Sequence, residues 1–313
     1  MQYDGNGMGC VAQRLCGWLG TGDCDDRLAP VEVRLPHEAV ADVVDVAAGA
    51  GHLVVLLADG TLVGCGDDAV GQLGGDGSRT EMTVLAALME ALGGERAVGV
   101  AAGWEHSLVV TASGAIYGTG ANAFGQLGTG PDGLGPGLVS GFGPGRVAVA
   151  CSAGMRHSMA VTDAGEVYAW GDGKFGQLGL PADVLDSHRT GRKVLVCTPE
   201  QVGGIGDAVS VACGYKTSTL ALADGRVLAC GAAAHGTLGV GECADKIVPT
   251  FTPVAGELPG TGPLRSVHAG WSFSLVHAPS GAVSAAGSNS RGWRHQPCLA
   301  PTTRRRRLNR RGL

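Results

Sequence analysis

Residues 101–128 read AAGWEHSLVVTASGAIYGTGANAFGQLG, and residues 152–179 read SAGMRHSMAVTDAGEVYAWGDGKFGQLG. Aligned without a gap, the two stretches share an early glycine, a His-Ser pair, a turn glycine and a closing Gly-Gln-Leu-Gly. Three more stretches fall into the same register. They are AAGAGHLVVLLADGTLVGCGDDAVGQLG from Ala47, ACGYKTSTLALADGRVLACGAAAHGTLG from Ala212 and HAGWSFSLVHAPSGAVSAAGSNSRGWRH from His268. A chain that repeats itself at this period is a stack of supersecondary units.

Four glycine positions define the unit. Gly49, Gly103, Gly154, Gly214 and Gly270 open it, and Gly60, Gly114, Gly165, Gly225 and Gly281 mark a turn. Gly66, Gly120, Gly171, Gly231 and Gly287 follow a short apolar run, and Gly71, Gly125, Gly176, Gly236 and Gly292 begin the closing segment. Glycine allows positive φ and close backbone approach, so these are expected to be structural residues. Length varies only between the copies, as it does in loops.

Within a unit, Val43 to Ala47 reads as a buried strand, and His52 to Leu57 as a second. Asp59-Gly60 is a turn signal, and Thr61 to Cys65 reads as a third strand. The stretches Ala29-Pro30-Val31-Glu32-Val33 and Thr252-Pro253-Val254 are expected to be outer edge strands, where a missing N–H does no harm. Four short strands cannot bury both their faces alone; radial stacking of the units can. The fold class is therefore all-β, a β-propeller over residues 1–296. Its units start near residues 41, 95, 146, 206 and 264, with a partial unit in 1–40.

Composition agrees. Of 313 residues 55 are glycine, yet 44% are hydrophobic, which suits many short strands and tight turns rather than a disordered chain. Net charge is −5, but six arginines crowd the end: Arg304 to Arg307, Arg310 and Arg311. Without them 17 basic residues face 28 acidic ones, a balance of −11. An acidic body argues against direct DNA binding. Residues 297–313 form a basic tail, expected to be disordered. No apolar run suggests a membrane helix and no signal peptide is evident, so an intracellular protein, cytoplasmic or nuclear, is expected. The ten cysteines are scattered; they are expected to be reduced, with Cys65 and Cys230 sharing one repeat position as small apolar fillers.

The pattern Ala-Gly-x-x-His-Ser, a Asp-Gly-like turn, Tyr-x-Trp-Gly and Gly-Gln-Leu-Gly resembles the repeat of the regulator of chromosome condensation family. The resemblance covers about residues 40–292, and Gly17-Trp18-Leu19-Gly20-Thr21-Gly22 is similar to the end of a further unit. It implies a ring of about six to seven blades closed by N- and C-terminal strands. The sequence offers five good units and one split one, and the last loses the motif at Gly292-Trp293-Arg294-His295. Either the ring is smaller than the family type or the chain stops short of it.

Catalysis finds no candidate. His52, His106 and His157 share one slot, but Thr217 and Phe273 fill it in the later units, which points to packing or backbone capping rather than to a metal or base. The Gly-Gln-Leu-Gly segments match no phosphate-loop pattern, so no cofactor is expected. Trp104 and Trp271 share the position after the first glycine with Ala50, Met155 and Tyr215. The family resemblance implies an ultraviolet-B photoreceptor reading for tryptophans there, yet the two are not in neighbouring units, which argues against excitonic pairing.

The expected function is a monomeric, non-enzymatic scaffold for protein partners. The longest connector, Leu180 to Gly206, is the candidate partner loop, through Asp183, Asp186, His188, Arg189, Arg192 and Lys193. The resemblance implies an alternative, guanine-nucleotide exchange on a Ran-like small GTPase. Exchange-active members carry a wedge insertion, and the connector shows no clear hairpin signal.

Overall fold

The computed structural model describes residues 17–288, other than 37–40, 76, 132, 134, 143–144, 242–244, 257–263, 265 and 279. Among these residues five antiparallel sheets follow one another along the chain. Blade 1 contains β1 (Val43–Ala48), β2 (His52–Leu57), β3 (Leu62–Gly66) and β4 (Arg79–Val84). A short helix, α1 (Ala86–Ala91), leads to blade 2: β5 (Ala97–Ala102), β6 (His106–Thr111), β7 (Ile116–Gly120) and β8 (Gly137–Leu138). Blade 3 holds β9 (Ala148–Ala153), β10 (His157–Thr162) and β11 (Val167–Asp172), then α2 (Ala182–Ser187), β12 (Arg189–Thr190) and β13 (Lys193–Gln201). Blade 4 is β14 (Ala208–Cys213), β15 (Thr217–Leu222), β16 (Val227–Ala232) and β17 (Ile247–Pro253). Blade 5 is β18 (Ser266–Ala269), β19 (Phe273–His277) and β20 (Val283–Gly287).

The middle strands of blades 2 to 4, β6, β10 and β15, are buried at every residue, because each of these blades has a neighbour on both faces. They therefore read as continuous apolar runs rather than alternating ones. One core cluster runs through blades 2 to 4 around the fully buried Trp170, with Leu108, Ile116, Met159 and Leu178.

Second and third strands pair in one register in every blade. His52 faces Gly66, His106 faces Gly120, His157 faces Gly171, Thr217 faces Gly231 and Phe273 faces Gly287. Gly120 has φ of 109°. A Cβ there would lie 2.4 Å from the Glu105 carbonyl oxygen, so both conformation and space demand glycine. The opening glycine is fixed for a different reason. A Cβ on Gly103 would meet the His106 ring at 2.5 Å and the Gly154 carbonyl oxygen of the next blade at 2.5 Å.

Among the described residues five blades stand where about six to seven were expected. The segment 17–22 belongs to the closing turn of a unit before blade 1: Gly20 packs on Cys65 and Met82, and Gly22 N–H donates to Thr80 O at 2.9 Å. Gly125 and Gly128 pack in the same way on Cys197 and Trp170 of blade 3. No pairing of an N-terminal with a C-terminal strand occurs among the described residues. Residues 29–33 form no strand, in contrast to the expectation, because Pro30 has no N–H and Thr21 and Gly22 meet the outer strand of blade 1. Pro253 does end an outer strand, β17, as expected. Gly292 and the tail 297–313 lie outside the described residues. Among those residues no helix is long and apolar enough to cross a membrane.

Candidate functional site

The antiparallel order places the β1–β2 type of loop and the connection after each third strand at the same end of the barrel of blades. The inter-blade contacts just beneath that end are regular. His52 Nε2 lies 2.8 Å from Ser107 Oγ, His106 Nε2 2.9 Å from Ser158 Oγ, and His157 Nε2 2.9 Å from Ser218 Oγ. Each serine in turn donates its only hydroxyl proton at 2.7 Å to a carbonyl of the preceding blade: Gln72, Gln126 or Gln177. The imidazole must then be the donor, from Nε2–H, which leaves Nδ1 as a bare buried acceptor without a partner. Burial pushes the pKa of His52 and His157 down to about 4 and that of His106 to about 3. These histidines are neutral side-chain ties between blades, where packing or backbone capping was expected. Among the described residues no group of His, Cys, Asp and Glu is arranged to hold a metal.

In blade 4 the tie is broken. Thr217 Oγ1 is buried and unpartnered, and Ser274 Oγ donates to Thr237 O without receiving an imidazole. Phe273, at the same slot in blade 5, is exposed.

On the axis, the opening glycines of all five blades surround a cavity of about 190 Å³ rimmed by Trp104, Met155, Tyr215 and Trp271. Tyr215 and Trp271 stack at 4.1 Å, and Trp104 and Trp271 stand 5.0 Å apart. The expectation that separation in the sequence keeps the tryptophans from pairing is therefore corrected. The slot points to the axis in every blade, so non-neighbouring units meet there.

Beside this rim lies a cavity of about 450 Å³ between blades 3 and 4, walled by Arg156, Lys174, Arg192, Lys193 and Lys216 over Met155, Phe175, Leu195 and Tyr215. Aromatic faces hold two of the cations: Arg156 lies 4.0 Å from the Phe124 centroid and Lys216 4.0 Å from that of Phe175. None of the five cations is in an ion pair with a described residue. One acid, Asp172, sits among them; burial raises its pKa, opposed by the Lys174 N–H and by Arg156, Lys174 and Lys216. A second cavity of about 440 Å³ adjoins it between blades 4 and 5, sharing Phe175, Tyr215 and Lys216 and floored by Thr217, Ala232 and Thr237. His235 on its wall has φ of 60°, unusual for a residue with a side chain.

Of the six candidate loop residues, the structure brings Arg192 and Lys193 into the first cavity. Asp186 and Arg189 pair with each other at 2.9 Å, His188 Nε2 lies 3.2 Å from Glu200 Oε1, and Asp183 stands exposed in the first turn of α2. The connector is not one loop. It includes α2 and the outer strand β13, and Arg189 and Thr190 pair with Val194 and Lys193 across a two-residue turn at Gly191 and Arg192. The absence of a hairpin signal was thus misleading: Gly191, with φ of 62°, is the turn residue. Arg156, Lys174 and Lys216 were missed. The signal for Arg156 and Lys216 was variation at a fixed slot, which reads Gly51, Glu105, Arg156, Lys216 and Ser272 in the five units.

The profile of the RCC1-like domain matches residues 11–297. The Ultraviolet-B receptor UVR8 of Arabidopsis thaliana is 36% identical over 237 residues, covering 74% of this chain and 50% of the receptor. The Protein RCC2 homolog of Danio rerio is 31% identical over 254 residues, 75% of this chain and 50% of that protein. The chain thus spans about half the length of these curated relatives. Among solved structures, Prp20p of Saccharomyces cerevisiae, described with its binding to Gsp1p and histones, superposes with a TM-score of 0.66 at 23% identity over 78% of this chain and 57% of that one.

Proposed function

The chain belongs to the RCC1-like domain family, and on that premise we propose that it is a non-catalytic interaction scaffold whose protein partner docks on the loop face of blades 3 to 5. One observation carries this reading: five cations from four segments of the chain converge on one cavity of an otherwise acidic body, and none is paired within the described residues. Arg156, Lys174, Arg192 and Lys193 are exposed and Lys216 is half-buried, so this cluster of like charge faces solvent and attracts an anionic surface. The test is partner capture from cell extract with the native chain and with a variant whose residues 182–193 are replaced by a short linker. Loss of specific partners is expected; an unchanged partner set overturns the reading.

Two alternatives each rest on one observation. The β12–β13 hairpin stands in the connector where exchange-active family members carry a wedge, and it supports guanine-nucleotide exchange on a Ran-like GTPase. Release of a fluorescent GDP analogue from such a GTPase tests it, and no acceleration at micromolar concentration sinks it. The Trp104–Trp271 contact supports ultraviolet-B photoreception. A monomer–dimer switch under ultraviolet-B light would carry it, and constant size under illumination would remove it.

A further inference from the structure

The slot between blades 4 and 5 exists because of one residue. At the other three described interfaces an imidazole fills the gap and reaches the next blade's serine. At this interface Thr217 takes the imidazole's place, keeps the same register against Gly231, and is too short to reach Ser274. What remains is a cavity with an apolar wall and, at its floor, a buried hydroxyl with no partner. Like the Nδ1 atoms of His52, His106 and His157, this hydroxyl is unpartnered; it marks the missing tie, and the space the imidazole would fill is left open. The slot opens directly beside the cationic cavity, with Lys216 as the shared wall.

We infer that the two cavities together receive one acidic peptide segment of a partner protein, its carboxylates over Arg156, Lys174 and Lys216 and an adjacent aromatic or aliphatic side chain in the slot above Thr217. This rests on the scaffold reading and names the partner chemistry of the same face. Charge decides the first half: cations held on the rings of Phe124 and Phe175 are pre-positioned for carboxylates. Shape decides the second. The slot is lined by Phe175, Ala232, Ile247 and Trp271, with Lys216, Lys246 and His235 also on its wall, so an apolar side chain seats there beside the peptide's carboxylates. A nucleic acid fits worse, since Glu105 occupies in blade 2 the position that Arg156 and Lys216 hold, and the body as a whole repels a polyanion.

The test is fluorescence anisotropy of a fluorescein-labelled peptide with a run of glutamates followed by phenylalanine. The native chain binds it with salt-sensitive affinity. Thr217→His fills the slot and ties blade 4 to Ser274, so binding falls about tenfold or more while the melting temperature does not fall. Exchanging the peptide's phenylalanine for serine weakens binding to the native chain by a similar factor and leaves binding to Thr217→His unchanged, as a coupling cycle requires. Lys216→Glu, at the surface, weakens binding without touching the core. Equal binding of a glutamine-for-glutamate peptide overturns the inference, as does undiminished binding to Thr217→His. Displacement of the peptide by an equal concentration of oligothymidylate also overturns it. If the peptide fails to bind while partner capture still depends on residues 182–193, the groove assignment falls and the scaffold stands. If the peptide binds as described while the linker variant keeps every partner, the groove stands and the docking role of the connector falls.

Discussion

His106 Nε2 and Ser158 Oγ meet at 2.9 Å across the boundary between blades 2 and 3, although 52 residues separate them in the chain. The serine passes its own proton on to the Gln126 carbonyl, which also accepts Trp170 Nε1–H at 2.9 Å. One short polar chain therefore joins two blades inside an apolar wall, and every proton in it is assigned. Polar groups in such a position are costly to leave unmatched.

The Ser→Ala series should not be uniform. Ser107→Ala strands both the His52 Nε2–H and the Gln72 carbonyl, whereas Ser158→Ala strands only His106, because Gln126 keeps Trp170. A buried unsatisfied group costs about 1–3 kcal/mol. Denaturant titration is expected to rank Ser107→Ala as the more destabilised. Equal loss would mean that the serine–carbonyl bond contributes nothing.

Acid should loosen the blades before it protonates most carboxylates. The folded-state pKa values of His52, His106 and His157 are depressed to about 4, about 3 and about 4 by burial. The unfolded chain therefore takes up protons first. Stability is full above the unfolded pKa of about 6.5 and falls as pH drops towards the folded values, by at most roughly 3 kcal/mol for His52 or His157 and roughly 5 kcal/mol for His106. Thermal melts at pH 7 and pH 5 are expected to show the fall. His106→Gln should start lower at pH 7 and lose less between the two; parallel slopes would contradict the assignment.

Gly120→Val tests the register of the second and third strands. Its φ of 109° disfavours a β-branched residue, and the new Cβ would sit 2.4 Å from the Glu105 carbonyl oxygen. A loss of about 3 kcal/mol or more is expected. A melting temperature equal to that of the native chain would rule the geometry out.

The axial aromatic cluster should be optically coupled. Trp104 and Trp271 at 5.0 Å are expected to give an exciton couplet in circular dichroism that disappears in Trp104→Phe, while the backbone signal is kept. A spectrum insensitive to that change would place the rings apart in solution.

Much of the fold was legible because glycine has few substitutes. Where φ is positive or a Cβ would strike backbone, the same residue recurs in every copy, and Gly66, Gly120, Gly171, Gly231 and Gly287 announce one register five times. The His-Ser pair was visible too, but read within one unit it suggested two faces of a strand. Its meaning lies between units. The number of blades was less legible, since Gly17 to Gly20 carries the signature of a closing turn at the very start of the described residues. The hairpin at Gly191 was hidden in a connector too irregular for strand periodicity.

The sequence by itself determined the repeat unit and its glycines, because these depend on backbone conformation and short-range order. Tertiary structure alone decided which residues meet: Trp104 with Trp271, Arg156 with Lys216 and Arg192 around one cavity, and Thr217 with an empty partner in the next blade. The reason is geometric. Stacking blades about an axis brings the same slot of distant units together, so residues that vary harmlessly along the chain become neighbours on one face.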